Sequence, residues 1–303
     1  MSGNLTLLSG TANPVLARAI ASYLNLSLGA IAIAHHPDGE VAVQLQQSVK
    51  NHPVVIIQPT SPPVDCHLIE LLAIADACRR AGASQLTAIM PYFGYGRSDK
   101  RRPGEQQPIM ARLVAQMLET AGINRIITVD PHAPQLTGFF HIPIQTLSAV
   151  SVLSNALKPH LRDNLIVVSP DSGGISRAVA FSQHLNTEIA ILHKQRQSDK
   201  ETRVTNLMGD VAGKTCLIVD DMISTGGTLA NAIAVLKDAG ANPEVIVAAT
   251  HGLFVQNARQ NLDNPSLQRI FVTDTIPQQT ENWPQLEVVS LASMIAQAID
   301  NCE

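Results

Sequence analysis

Two stretches of the chain join carboxylates to a turn rich in hydroxyls and glycine. One is Asp220-Asp221 with Ser224-Thr225-Gly226-Gly227-Thr228; the other is Asp171-Ser172-Gly173-Gly174. Each follows a short apolar run, residues 216–219 and 165–168, long enough for a buried parallel strand. Each precedes a helical pattern, in the first case through Leu229, Ile233 and Leu236. A helix N-terminus offers backbone N–H groups and a partial positive charge, which suits phosphate. Glycine removes the Cβ that would obstruct close approach, so Gly226-Gly227 and Gly173-Gly174 are expected to turn amides towards an anion. Asp220 and Asp221 would repel that anion, so they suit sugar hydroxyls or a divalent cation. A polyol phosphate fits both halves. A capped loop alone would not call for adjacent acids at a strand end. Asp171 can take a metal that also bridges phosphates.

Four further loops carry polar chemistry. Residues 91–102 put Arg97, Lys100, Arg101 and Arg102 beside Tyr92, Phe93 and Tyr95, directly after an apolar run. Such a cluster is usually a solvated face, but at a strand end with aromatic rings it suits a nucleotide. Asp130-Pro131-His132-Ala133 ends another strand, where a His beside an acid can serve as metal ligand or base. Lys194 and Arg196, two apart, share one face if the segment is extended; taken alone, it reads as a solvated hairpin. Pro37-Asp38-Gly39-Glu40, after His36, is a turn by its chemistry. Residues 209–215 imitate a P-loop, but have three residues between the glycines where that motif needs four, and precede a strand. They read as a turn.

The elements that must position these loops alternate between strand and helix. Strands are expected at 5–8, 30–34, 41–45, 54–58, 86–90, 125–129, 165–168, 189–192, 216–219, 245–249 and 269–272. Helices are expected at 14–24, 66–80 (with Leu68, Leu72 and Ala75 on one face), 109–120, 150–157, 175–185 and near 255–262. Alternation of this kind predicts an α/β protein with parallel sheets, whose ligands bind at the carboxyl ends of the strands. Two similar domains are expected, 1–146 and 147–285, joined near 143–150. Residues 286–303 read as one more strand and helix.

With 303 residues, 45% hydrophobic and 15% charged, the chain can build two cores. A formal net charge of −4 disfavours nucleic-acid binding. No apolar run reaches membrane-spanning length, and the N-terminus lacks signal-peptide character. Four scattered cysteines without a CxxC pair predict a reduced, cytoplasmic protein.

The loop at 220–228 resembles the ribose-5-phosphate loop of phosphoribosyltransferase-type folds, and the whole chain most resembles the phosphoribosyl pyrophosphate synthetases, or ribose-phosphate diphosphokinases. Residues 92–95, Arg97 and Asp99 match the family's Pro-Tyr-Phe-Gly-Tyr-Ala-Arg-Gln-Asp, with Ser98 in place of Gln. Asp130 and His132-Ala133, followed by Gln135 and Gly138-Phe139-Phe140, match Asp-Leu-His-Ala and its sequel. Lys194 and Arg196 match the outer positions of Lys-Arg-Arg, with Gln195 between. Residues 38–40 match Asp-Gly-Glu, with His36 where an aromatic is commonest.

The resemblance implies two phosphoribosyltransferase-type domains, each a mainly parallel sheet flanked by helices, the first completed by residues 286–303, and transfer of the diphosphoryl group of ATP to the 1-hydroxyl of ribose 5-phosphate, releasing AMP. It implies a ribose-5-phosphate site at Asp220, Asp221 and residues 224–228, and a pyrophosphate site at residues 171–174. ATP contacts would come from His36, Asp38, Glu40, Arg97, Ser98, Asp99 and His132. Mg²⁺ would sit at His132 and Asp171 with Asp130 close by, and Lys194 and Arg196 would be catalytic. It also implies a homo-oligomer, a dimer or larger. The rival readings are a phosphoribosyltransferase consuming phosphoribosyl pyrophosphate, a catalytically silent regulatory homologue, and a sugar-phosphate kinase releasing ADP.

Overall fold

The computed structural model describes residues 5–101, 104–196 and 202–301, with backbone alone at 194–196 and 202–205. The chain divides into two compact units. The first comprises Met1–Leu147, Thr275–Pro277 and Ser290–Glu303; the second comprises Ser148–Asp274 and Gln278–Val289.

The first unit opens with β1 (Thr6–Ser9) and α1 (Pro14–Tyr23), where Asn13 caps the helix by accepting from the amide of Leu16. Strands β2 (Ile31–His35) and β3 (Val41–Leu45) form a separate antiparallel hairpin. Then come β4 (Pro53–Ile57), α2 (Val64–Arg80), β5 (Gln85–Met90), α3 (Met110–Ala121), β6 (Arg125–Val129) and β7 (Ile144–Leu147). The five-stranded sheet runs β1-β4-β5-β6-β7, all parallel. The segment read as a joint between domains is therefore partly a strand, since Ile144 to Leu147 pair with Ile126 to Val129. On α2 the buried stripe is Leu68, Leu71, Ala75 and Cys78, with Leu71 in place of the expected Leu72. Glu70 is buried on the same helix because its carboxylate accepts from Thr11 N, Thr11 Oγ1 and Gln58 Nε2.

The second unit contains α4 (Val150–Leu157), β8 (Leu165–Ser169), α5 (Ile175–Leu185), β9 (Glu188–Arg196), β10 (Thr202–Met208), β11 (Thr215–Ile223), α6 (Gly227–Asp238), β12 (Val245–Gly252), α7 (Ala258–Asn261), β13 (Leu267–Thr273) and β14 (Leu286–Val289). Its sheet runs β10-β9-β8-β11-β12-β13-β14, parallel except for β10, which turns back against β9. Buried Leu229, Ala232, Ile233 and Leu236 on α6 are spaced i, i+3, i+4, i+7, the stripe a helix lays on a sheet. All eight residues of β12 are buried, as expected of a strand covered on both faces.

Strand β14 pairs with β13, so residues 286–289 complete the second sheet. The last helix, α8 (Ala292–Asp300), packs against α1 and belongs to the first unit. The expectation that this strand and helix stay together is corrected by the pairing of Ile270 to Thr273 with Leu286 to Val289. The helix expected near 255–262 shrinks to four residues. Residues 209–214 form the expected turn, with Gly209 and Gly213 at positive φ and Lys214 N donating to Val211 O. Buried Cys78 and Cys216 are core residues whose thiols burial pushes up to about 11.

Candidate active site

Strand order locates the first part of the site. From β8 the chain leaves through α5 to β9 on one side, and β11 lies on the other. The loops after β8 and β11 therefore emerge on either side of a topological switch point, where open α/β sheets form a crevice beyond the strand ends. These are the loops bearing Asp171–Gly174 and Ser224–Thr228. The five-stranded sheet of the first unit has no such reversal.

Asp220 and Asp221 lie within β11, not after it. The strand runs to Ile223 because Asp220, Met222 and Ile223 pair with Ala249, His251 and Gly252 of β12. Asp221 is buried and Asp220 half-buried. Asp220 Oδ1 accepts from the backbone N of Asp221 at 2.9 Å. Burial, and then the neighbouring Asp221 carboxylate, push Asp220 up to about 8. The guanidinium of Arg177, on the first turn of α5, opposes that rise; its Nη1 lies 3.6 Å from Asp220 Oδ1 and 3.7 Å from Asp221 Oδ1. This arginine is not among the residues singled out from the sequence. Its position just after the glycine pair was the available signal.

The turn at 224–228 is held from behind. Ser224 O accepts from Val255 N, and Thr225 O accepts from Asn261 Nδ2 at 2.8 Å. Gly226 takes φ +76, and an added Cβ would lie 2.9 Å from Leu262 Cγ and 3.2 Å from Ala258 O. Handedness and space both exclude a larger residue there. Among the described residues, the amides of Thr225, Gly226 and Gly227 donate to no protein acceptor. They are the unpaired donors expected where α6 begins, and they suit an anion.

The companion loop behaves differently. The amides of Gly173 and Gly174 both donate to Asp171 Oδ1, at 3.0 and 3.2 Å. This corrects the expectation that both glycines turn their amides to an anion, because the aspartate caps its own turn. Gly174 is required by space, since a Cβ would lie 2.8 Å from Ser169 Oγ. Buried Thr250 and Thr273 line the neighbouring strand ends, with Thr273 Oγ1 donating to Thr250 O at 2.6 Å.

In the first unit, the loops after adjacent strands β5 and β6 meet. Gln135 Nε2 donates to Asp99 Oδ2, and a Cβ on Gly96 would lie 3.8 Å from His132 Cβ. Arg97 and His132 are exposed, whereas Asp99 is buried. Tyr95 and Asp130 both take left-handed backbone, φ 63 and 36, which is strain of the kind that collects at functional loops. The Tyr95 hydroxyl donates to Asp65, and this bond holds the phenol above its ordinary value.

Ser98 faces its own scaffold: its Oγ accepts from Met110 N at 3.3 Å, where α3 begins, and donates to Pro108 O at 3.4 Å. His36, Asp38 and Glu40 form the exposed tip of the β2–β3 hairpin, closed by His36 N to Glu40 O and Glu40 N to Asp38 Oδ1. Among the described residues, no hydrogen bond or ion pair joins that tip to the 91–100 or 130–133 loops.

Lys194 and Arg196 fall on the backbone of β9, opposite Val204 and Thr202 of β10. Their side chains lie outside the described residues. Among the described residues no group of three or more His, Cys, Asp or Glu converges on a metal position. Mg²⁺ keeps several waters and is often bound by one or two carboxylates plus substrate phosphates, so carboxylates at strand ends suit it without a closed protein cage. A cavity of about 460 Å³ in the second unit is lined by Gln256, Arg259, Trp283 and neighbours, and none of the sequence-predicted site residues lines it. Among the described residues no helix is long and apolar enough to cross a membrane.

Known proteins agree with this geometry. The family model for the N-terminal domain of ribose phosphate pyrophosphokinase matches residues 5–122, and that for the phosphoribosyl synthetase-associated domain matches 197–302. A ribose-phosphate pyrophosphokinase of Chromobacterium violaceum is 44% identical over 298 residues, covering 98% of this chain and 91% of its own. Ribose-phosphate pyrophosphokinase 1 of Spinacia oleracea is 43% identical over 306 residues, covering 98% and 90%. The crystal structure of phosphoribosylpyrophosphate synthetase from Mycobacterium smegmatis superposes with a TM-score of 0.92 at 38% identity, covering 99% of this chain and 98% of that one. Two α/β units, an acid pair at a switch point and near-full-length relatives lead to one conclusion: the chain belongs to the ribose-phosphate pyrophosphokinase family.

Proposed function

We propose that the chain moves the β,γ-diphosphoryl group of ATP to the 1-hydroxyl of ribose 5-phosphate, giving 5-phosphoribosyl 1-pyrophosphate and AMP. The supporting observation is the pairing of unpaired amides at 225–227 with two acids on one strand end. That pairing asks for a phosphate and hydroxyls on one molecule. The 5-phosphate sits on the turn at 224–228, and Asp220 and Asp221 accept from the 2- and 3-hydroxyls. Held at both ends, the sugar keeps its 1-hydroxyl in one direction, so positioning supplies much of the rate. The 1-oxygen bonds to the β-phosphorus, and the bond from that phosphorus to the oxygen bridging the α-phosphorus breaks.

Arg97, Asp99 and His132 hold ATP on the first unit. Asp171 belongs to the second unit's pyrophosphate loop. Ser98 serves the first unit's loop of Arg97 and Asp99 from behind, given its bonds to Pro108 and Met110. Lys194 and Arg196 stabilise charge on the β-phosphoryl oxygens and on departing AMP. Mg²⁺ would spread phosphate charge, with His132, and Asp130 near it, to hold it on the first unit and Asp171 on the second. The exposed tip with His36, Asp38 and Glu40 reaches the adenine of a neighbouring copy, which makes the enzyme a dimer or larger. The protein works in the cytoplasm, without nucleic acid or membrane as partner.

One assay tests the reading. With ATP, Mg²⁺ and ribose 5-phosphate, the enzyme should form AMP and phosphoribosyl pyrophosphate. Formation of ADP, or no AMP at all, would overturn it. Consumption of phosphoribosyl pyrophosphate with a free base would instead indicate a phosphoribosyltransferase.

A further inference from the structure

Arg97 is exposed, and among the described residues it makes no ion pair. Its direction is therefore set by the backbone that carries it. That backbone is a β-turn closed by Ser98 N donating to Tyr95 O at 2.9 Å, with Gly96 and Arg97 at its corners. The Ser98 end rests on the start of α3, where Ala111 N donates to Ser98 O at 3.1 Å. The Tyr95 end is anchored differently. Tyr95 takes φ 63, a left-handed conformation that a bulky residue keeps only where its surroundings hold it.

Those surroundings lie between β4 and the first turn of α2. Thr60 N donates to Tyr92 O at 3.0 Å, and Gly94 N donates to Thr60 Oγ1 at 2.7 Å. A Cβ on Gly94 would lie 2.5 Å from Thr60 O, so the loop rests directly on this segment. These bonds fix the chain as far as Gly94. The next residue is held by its side chain: the Tyr95 ring packs against the first unit's core, and its hydroxyl donates to Asp65 Oδ1 on α2. That bond keeps the phenol above its ordinary value, so the hydroxyl stays a donor. Asp65 is exposed and Tyr95 half-buried, so the bond adds little to the stability of the unit as a whole.

We propose that Asp65 is a positioning residue for ATP: by holding the Tyr95 hydroxyl it fixes the turn from which Arg97 meets the phosphates. Asp65 acts through Tyr95 and the turn, across thirty positions of sequence. The ligand class is a nucleoside triphosphate, and the inference rests on the proposed reading of the first unit as the ATP side.

The test is a double-mutant cycle on the full-length enzyme, with ATP and ribose 5-phosphate each varied. Asp65→Ala should raise KM for ATP by roughly three- to tenfold, the worth of about one hydrogen bond, and change KM for ribose 5-phosphate by less than about twofold. Tyr95→Phe keeps the ring in the core and removes only the donor, and should give the same rise. The double variant should stay within about twofold of either single variant, because both remove one bond. Asp65→Asn drops the charge that favours a helix N-terminus but keeps an acceptor oxygen, and should restore KM for ATP to within about twofold of wild type. If Asp65→Ala folds poorly, Tyr95→Phe and Asp65→Asn carry the test.

An unchanged KM for ATP in both Asp65→Ala and Tyr95→Phe, an equal rise for both substrates, or additive effects in the double variant would each overturn the inference. So would an Asp65→Asn variant as impaired as Asp65→Ala, which would assign the effect to the charge on α2. Failure of the underlying reading is distinguishable: Arg97→Ala by itself would then leave KM for ATP unchanged.

Discussion

Asn261 Nδ2 donates to Thr225 O at 2.8 Å, tying a one-turn helix to the loop that carries the phosphate amides. The bond fixes the carbonyl side of that loop. Asn261→Ala should therefore raise KM for ribose 5-phosphate by roughly three- to tenfold, the worth of about one hydrogen bond, with KM for ATP unchanged. Steady-state kinetics with each substrate varied would check it; equal effects on both would show that Asn261 supports the fold at large.

Gly226 makes a sharper prediction. Its φ of +76 and a Cβ site 2.9 Å from Leu262 Cγ exclude alanine twice. Gly226→Ala should lower thermal stability by roughly 1–2 kcal/mol and weaken ribose 5-phosphate binding more than ATP binding. Thermal denaturation and isothermal titration would read the two effects, and a variant equal to wild type in both would contradict this geometry.

Asp220 links the site to pH. Its value in the folded protein, about 8, lies above the ordinary 3.8, so between them the folded state holds a proton that the unfolded chain releases. The associated stability is fully present below the ordinary value and is lost as pH rises through about 8. Asp220→Asn removes this dependence. Without ligands the variant should match wild type most closely near pH 4. It should exceed wild type in Tm at pH 8.5, by roughly 2–4 °C for each kcal/mol gained. A pH-independent difference would show that Asp220 is not the titrating group.

Ser98 stands where the family has Gln, and its hydroxyl closes the start of α3. Ser98→Ala should cost about 1 kcal/mol of stability, as other lost helix caps do, and leave KM for ATP nearly unchanged. Arg97→Ala, in contrast, should raise KM for ATP. If Ser98→Ala raised KM for ATP as much as Arg97→Ala, its hydroxyl would be a substrate contact.

Lys194 is assigned from its spacing to Arg196 on β9. Lys194→Ala should lower kcat by roughly 10²-fold or more, the usual effect of removing one donor aimed at transition-state charge, with little change in KM for ribose 5-phosphate. A near-normal kcat would remove Lys194 from the mechanism.

Local pattern determined much of this protein. The i, i+3, i+4, i+7 stripe on α6, the apolar runs of β8 and β11, and the Gly-rich turns fixed their own conformations and could be read from the chain. Motif spacing likewise indicated the family and the loops that carry chemistry. Tertiary structure decided what local pattern leaves open. Strand β11 continues through both acids because β12 pairs with it, which no window of eight residues reveals. The amides of Gly173 and Gly174 turn inward because Asp171 competes for them, while those of 225–227 stay open because Asn261 and Val255 hold the other side of the turn. Strand β14 joins one unit and helix α8 the other, although only Ser290 and Leu291 separate them. The pairing of Arg177 with Asp220 and Asp221 spans more than forty positions and arises only where α5 and β11 pack together. The physical reason is common to all four: hydrogen-bond partners and counter-charges are chosen by distance in space, and a single chain's pattern encodes only distance along itself.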